Sequence, residues 1–190
     1  MPLRHYPKFN VLFVHVNKTG GSSICEILRE GRKKSDVEEF HDYWTPEVDE
    51  LPWDRSFVVS RPPVDRFMSA WNERAPEMDL IPLLKFLRNP REWSLSHGGS
   101  RSELIRRHFV FHNDRAFVYK ARFLLRLHSL AEDWDRLAQR LGLPRPKHFP
   151  HARKGRYLRR KWSRLSDAEK RLVEEFAFGE GYLNYGGNYE

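Results

Sequence analysis

The sequence has almost no cysteine. Cys25 is the only one in 190 residues, which excludes an intrachain disulfide framework and a zinc site built from cysteines. Long apolar runs are missing too. The longest early one, Val11 to Val16, contains His15 and is far shorter than the ~20 residues of a membrane helix. The N-terminus has neither the extended apolar core nor the small-residue cleavage site of a secretory signal, so the expected compartment is the cytoplasm. There is no internal repeat, and no glycine loop closes on the Gly-Lys-Ser/Thr order of a nucleoside triphosphate site.

Charge of one sign is in excess. Lys and Arg number 34 against 26 Asp and Glu, a formal net charge of +8. Such a balance draws anions of every class, whether nucleic acid, acidic glycan, membrane or nucleotide, and does not choose among them. Hydrophobic residues make up 39% and aromatic residues 14%, enough for a packed core rather than a disordered chain. The length suits one domain spanning 1–190, with no composition break to mark a second.

Strand and helix signals alternate along the chain. "NVLFVHV" is a nearly continuous apolar run, the pattern of a parallel strand buried on both faces. Ile24, Ile27 and Leu28 then share one helical face, and Gly31 stands where that helix would stop. The charged stretch "RKKSDVEEFHDYW" reads as a loop leading to a second buried strand, Ser56 to Ser60. Pro62 and Pro63 suit the first turn of a helix whose Phe67, Ala70 and Trp71 face inward. "LIPLLKFLR" reads as an apolar helix and Asn89 to Ser100 as a loop. "RFLLRL" reads as a third strand, and "SLAEDWDRLAQRLG" as the helix after it. A last amphipathic helix opens with Ser166 and Glu169 in capping-box spacing. The alternation predicts an α/β domain of three layers around a central, mainly parallel sheet.

In such a sheet, ligands bind beyond the carboxyl ends of the strands. Two strand-to-helix junctions here are rich in anion-binding groups. In "NKTGGSSI", Gly20 and Gly21 let the backbone approach an anion; Lys18 adds a charge, and Thr19, Ser22 and Ser23 add hydroxyls. At the second junction Arg61 follows its strand directly, while Arg66 and Ser69 lie three apart on one helix face.

"HVNKTGGSSI" resembles the "PKTGGTS" loop of sulfotransferases that use 3′-phosphoadenosine 5′-phosphosulfate (PAPS), and "FVVSRPPVDRFMSAW" resembles their "F-x-x-R-[DN]-P-x-x-R-x-x-S-x-[YW]" motif. "RFLLRLHSLAEDWDRLAQRLGL" is similar to the family's "R-[YF]-E-N-L-x-x-D-[FW]…LGL", and "EEFAFGEGYLNYGG" to its closing segment. The nearest branch is the compact one that includes carbohydrate and heparan 2-O-sulfotransferases. The resemblance implies a P-loop-like fold and transfer of a sulfuryl group to a hydroxyl, without a metal. It implies that Lys18, Thr19, Gly20, Gly21, Ser22 and Ser23 hold the 5′-phosphosulfate, that Arg61 and Ser69 hold the 3′-phosphate, and that Arg153, Lys154 and Gly155 lie in a loop covering it. The expected partner is an acceptor with a free hydroxyl, a glycan first among the choices, and neither nucleic acid nor a membrane span is expected.

The order of the loop fits that chemistry. Lys18 precedes the glycines, where the resemblance puts it beside the oxygen bridging phosphate and sulfate. His41 is the first candidate for the base, because the branch carries a histidine in a similar segment and imidazole titrates near neutral pH. His15, His97 and Asp42 are lesser candidates, with His15 read as a packed residue of the first strand. The chain departs from the family pattern at Pro62, where Asp or Asn is usual, and at His128, where a glutamate is usual and an Arg–Glu pair is removed. Three alternatives stay open: a basic nucleic-acid-binding module suggested by "RKGRYLRRKW", a nucleotide or sugar kinase, and an inactive sulfotransferase homologue that still binds the cofactor.

Overall fold

The computed structural model describes residues 2–29, 37–41, 46–88, 105, 108–109, 115–150 and 161–179. By contact these fall into two compact units, one made of the described residues up to Arg61 with 115–150, the other of those in 62–109 with 161–179. The division lies between Arg61 and Pro62, inside the second of the two anion motifs.

The first unit holds β1 (Pro2–Tyr6), β2 (Val11–Val14), α1 (Gly21–Arg29), β3 (Glu38–His41) and a single turn, α2 (Pro46–Asp49). After β4 (Ser56–Ser60) the chain enters the second unit through α3 (Pro63–Arg74) and α4 (Leu80–Arg88). It returns to the first with α5 (Arg115–Lys120), β5 (Phe123–Arg126) and α6 (Leu130–Leu141), and α7 (Asp167–Gly179) belongs to the second.

Among the described residues five strands form one sheet in the order β3-β1-β2-β4-β5. β2, β4 and β5 pair in parallel, whereas β1 is antiparallel to both β2 and β3. The protein is α/β as expected, but the sheet is mixed rather than mainly parallel. The two strands responsible, β1 and β3, carry no apolar run. Leu3 and Tyr6 of β1 are buried, while the polar residues between them find partners across the strand pair. Arg4 lies opposite Glu39 and binds it at 3.1 Å; His5 lies opposite Glu38 and binds it at 2.7 Å. Arg29, at the end of α1, reaches the same Glu39 carboxylate at 3.3 Å. The charged stretch expected to be a loop therefore contributes a strand at Glu38–His41, which carries cross-strand polar pairs to β1.

The other strands follow the apolar pattern. β2 and the first four residues of β4 are fully buried. Phe13 and Phe57 stack across the β2–β4 pair with centroids 4.9 Å apart, and Trp134 of α6 meets Phe57 edge-on at 5.7 Å. Ile24, Ile27 and Leu28 of α1 join Leu137 and Ala138 of α6 in the same core cluster, so both helices cover one face of the sheet. Each fully buried aromatic or aliphatic side chain contributes ~1.5–3 kcal/mol.

In the second unit Pro63 occupies the first turn of α3, where a missing N–H costs nothing. Phe67 packs edge-on against Trp71 and Phe109 within α3 and its surroundings, and against Phe176 of α7. The capping box at the start of α7 is present. The Ser166 backbone N–H donates to Glu169 Oε2 at 2.8 Å, and the Glu169 N–H donates to Ser166 Oγ at 3.3 Å. Gly31 and residues 89–100 lie outside the described residues.

The Arg–Glu pair removed by His128 has a substitute. Asp133, buried in the first turn of α6, accepts from the Arg126 backbone N–H at 2.8 Å, from the Arg126 guanidinium at 3.2 Å and from the Ser129 hydroxyl at 3.1 Å, and Arg136 also contacts it. Burial alone pushes the carboxyl up, but these hydrogen bonds, with Arg126 the leading donor, outweigh it and hold Asp133 at about 2. A carboxylate whose folded value is depressed stabilises the fold above its unfolded value near 4, and that contribution is lost as pH falls through the folded value. Its guanidinium partners are more than half exposed, so screening reduces the gain to about 1–2 kcal/mol. Asp133→Asn should therefore lower stability by about that amount at pH 7 in urea unfolding, with the gap to wild type shrinking between pH 4 and pH 2. A gap independent of pH would show that shape rather than charge holds the segment.

Candidate anion-binding site

The first junction is a strained and closely packed turn. Beyond β2, His15 stacks on Phe13 at 5.2 Å, and the Val16 N–H donates to the Val14 carbonyl at 3.0 Å. The buried Thr19 hydroxyl donates to the Val16 carbonyl at 2.9 Å, closing the turn on itself. Lys18 takes a left-handed backbone conformation with φ +69°, which costs an L-residue roughly 1–2 kcal/mol. Gly20 follows at φ +88°. A side chain there would also lie 2.6 Å from Leu127 Cδ1 and 3.2 Å from Leu130 Cδ2. Gly21 opens α1, and a Cβ at that position would collide with the His15 imidazole. The two glycines thus serve different needs, the first a backbone angle and the second a close approach. Ser22 and Ser23 stand half-buried in the first turn of α1, where the Ser23 N–H donates to the Gly20 carbonyl at 3.1 Å and the helix dipole places positive charge.

The second junction is held against the first. β2 and β4 are parallel neighbours with Val14 opposite Val58, so Arg61 leaves the sheet at the same edge as the Lys18 turn. Its Nη1 donates to the Lys18 carbonyl at 3.1 Å. No reading of the sequence anticipates this bond, because nothing in either motif records the register of the two strands.

His41 closes β3, opposite Pro2, and the next residue of β1, Leu3, lies opposite Val14. The backbone of His41 is therefore at the edge from which β2, β4 and β5 also emerge, two strand spacings or about 10 Å from β2. The candidate base and the lysine turn share one edge. His15 packs against Phe13 and Gly21, but just beyond β2 and half-buried rather than inside the strand where the sequence reading put it.

The remaining candidates divide. Ser69 is half-buried on α3 in the second unit. Arg66 does not accompany it at a surface: it is buried, and its Nη2 donates to the His108 carbonyl at 3.0 Å. Asp42, His97, Arg153, Lys154 and Gly155 lie outside the described residues. Among the described residues no group of three or more His, Cys, Asp or Glu is placed to hold a metal ion, and no helix is long and apolar enough to cross a membrane.

Backbone strain at a charged residue separates stability from binding. Lys18→Gly should relieve the left-handed penalty and raise stability by about 0.5–1 kcal/mol while weakening anion affinity. Gly20→Ala should do the reverse to the fold and cost about 1–3 kcal/mol through φ and the Leu127 contact. Urea unfolding of both variants, with nucleotide titration of the first, checks the pair; a destabilised Lys18→Gly would mean the lysine side chain packs rather than binds.

Comparison with protein-family models, with curated proteins and with solved structures finds no match to this chain.

Proposed function

We propose that the chain is a sulfotransferase that moves the sulfuryl group of PAPS to an acceptor hydroxyl, most simply one on a carbohydrate, and releases 3′,5′-ADP. The observation that carries this reading is Lys18 in a left-handed turn at the exit of β2, its carbonyl bound by Arg61 at the exit of the adjacent parallel strand. A strained residue persists only where its surroundings over-determine it, and such residues cluster at functional sites. The three-layer, P-loop-like arrangement of the sheet and the cytoplasmic setting are parts of the same proposal.

In the proposed reaction the loop N–H groups and Lys18 bind the 5′-phosphosulfate. The acceptor oxygen attacks sulfur in line, a new S–O bond forms, and the S–O bond to the phosphate breaks. Negative charge collects on the departing phosphate, where Lys18 and the first turn of α1 stabilise it. His41 takes the acceptor proton, consistent with its backbone position at the same sheet edge. The resemblance assigns the 3′-phosphate to Arg61 and Ser69, and a loop over it to Arg153, Lys154 and Gly155. The work is alignment and charge stabilisation, as in phosphoryl transfer, and no metal is assigned to it.

Calorimetric titration with 3′,5′-ADP tests the reading first, since neither a nucleic-acid-binding module nor a kinase selects that nucleotide. In an acceptor panel supplied with PAPS, Lys18→Ala should then lower turnover about a hundred- to a thousandfold, with a much smaller loss of 3′,5′-ADP affinity. Unchanged turnover in Lys18→Ala would sink the assignment of the lysine, and absence of nucleotide binding would sink the function.

A further inference from the structure

We infer that Arg61 is a positioning residue for Lys18 as well as a ligand for the remote phosphate, and so couples the two ends of the donor site. The inference rests on the proposed donor and extends it. Three observations lead to it. Lys18 is held in a backbone conformation that its own chemistry disfavours, at φ +69°. The Lys18 carbonyl, whose direction is fixed by that conformation, accepts from Arg61 Nη1 at 3.1 Å. Arg61 itself is anchored at the end of β4, one residue past Ser60, which lies opposite Arg126 and donates its hydroxyl to the Leu125 carbonyl at 3.1 Å.

The consequence is chemical. A guanidinium is a rigid planar fork whose five N–H donors keep fixed directions relative to one another. An anion engaged by the same fork fixes the plane of the guanidinium and with it the donor to Lys18. Binding energy gained at a phosphate remote from the sulfur is thereby directed to the conformation of the residue beside the breaking bond, which is how remote contacts raise turnover rather than affinity alone. A lysine at position 61 would supply charge to the remote phosphate without the rigid fork.

The coupling is readable without an acceptor. 5′-AMP carries only the phosphate next to Lys18, and 3′,5′-ADP carries both. Both are titrated by calorimetry against wild type, Arg61→Ala, Arg61→Lys, Lys18→Ala and the Arg61→Ala, Lys18→Ala double variant. Arg61→Ala should weaken 5′-AMP, whose phosphate it does not touch, by about three- to tenfold, the scale of one hydrogen bond. Arg61→Lys should weaken 5′-AMP as much as Arg61→Ala does while keeping more of the affinity for 3′,5′-ADP. In the Lys18→Ala background, removing Arg61 should leave 5′-AMP affinity unchanged, a non-additivity that general unfolding does not produce. The inference is overturned if Arg61→Ala lowers only 3′,5′-ADP affinity, or if the two losses for 5′-AMP add. Wild type that binds neither nucleotide overturns the donor assignment itself, and this inference with it.

Discussion

β2 and β4 run side by side in parallel register, Leu12 opposite Ser56 and Val14 opposite Val58, and the candidate site exists because of that pairing. Parallel neighbours deliver their carboxyl ends to one edge about 5 Å apart. The pairing is secured from within, since both strands are buried and Phe13 stacks on Phe57 with the rings 10° from parallel. A slip of one residue would turn every one of these side chains to the opposite face. It would also remove Arg61 from reach of the Lys18 carbonyl.

The turn that this edge carries is a balance of comparable terms. The left-handed conformation of Lys18 costs roughly 1–2 kcal/mol. Against it stand three short hydrogen bonds: Thr19 to the Val16 carbonyl, Arg61 to the Lys18 carbonyl, and the Ser23 N–H to the Gly20 carbonyl at 3.1 Å. At about 0.5–1.5 kcal/mol each, together they match or exceed the strain. The close packing of Gly20 against Leu127 and Leu130, and of Gly21 against His15, then leaves the turn no room to relax. This also explains why Thr19 is buried. Its hydroxyl hydrogen goes to the loop's own backbone, so its contribution toward an anion is limited to its N–H and to the shape it enforces.

What was legible in the sequence follows from what each segment relies on. β2, β4, β5 and the α1, α6 and α7 helices were readable because each buries an apolar pattern that stands in its own residues. β1 and β3 were not, because their stability is relational. "PLRHY" and "EEFH" are unremarkable alone, and only the register that sets Arg4 against Glu39 and His5 against Glu38 makes them a pair. Arg66 misled for the same reason. Three residues from Ser69, it looks like a second cation for an anion, yet its guanidinium is turned inward to the His108 carbonyl, a partner 42 residues away that no local pattern announces. Asp133 was visible only as a motif letter. Its role as the acceptor for Arg126 and Ser129 required the turn at 127–129 to bring both onto one carboxylate. The turn at Lys18 and its glycines was legible because its residues are contiguous.

The reversed strand has one more consequence. In a fully parallel sheet, the strand beside β2 would also emerge at the edge of the Lys18 turn, and the chain following it would crowd that turn. Here the immediate neighbour is β1, which runs the other way, so the residue opposite Val14 is Leu3, near the start of that strand. A second reversal restores the direction, and β3 ends at the edge that carries the Lys18 turn, with His41 opposite Pro2. The lysine turn and the histidine are thus separated by one strand of opposite sense, about 10 Å at the backbone. A directly adjacent parallel strand, at about 5 Å, would leave no such interval. The mixed character of the sheet thus sets the interval between the Lys18 turn and the backbone of His41.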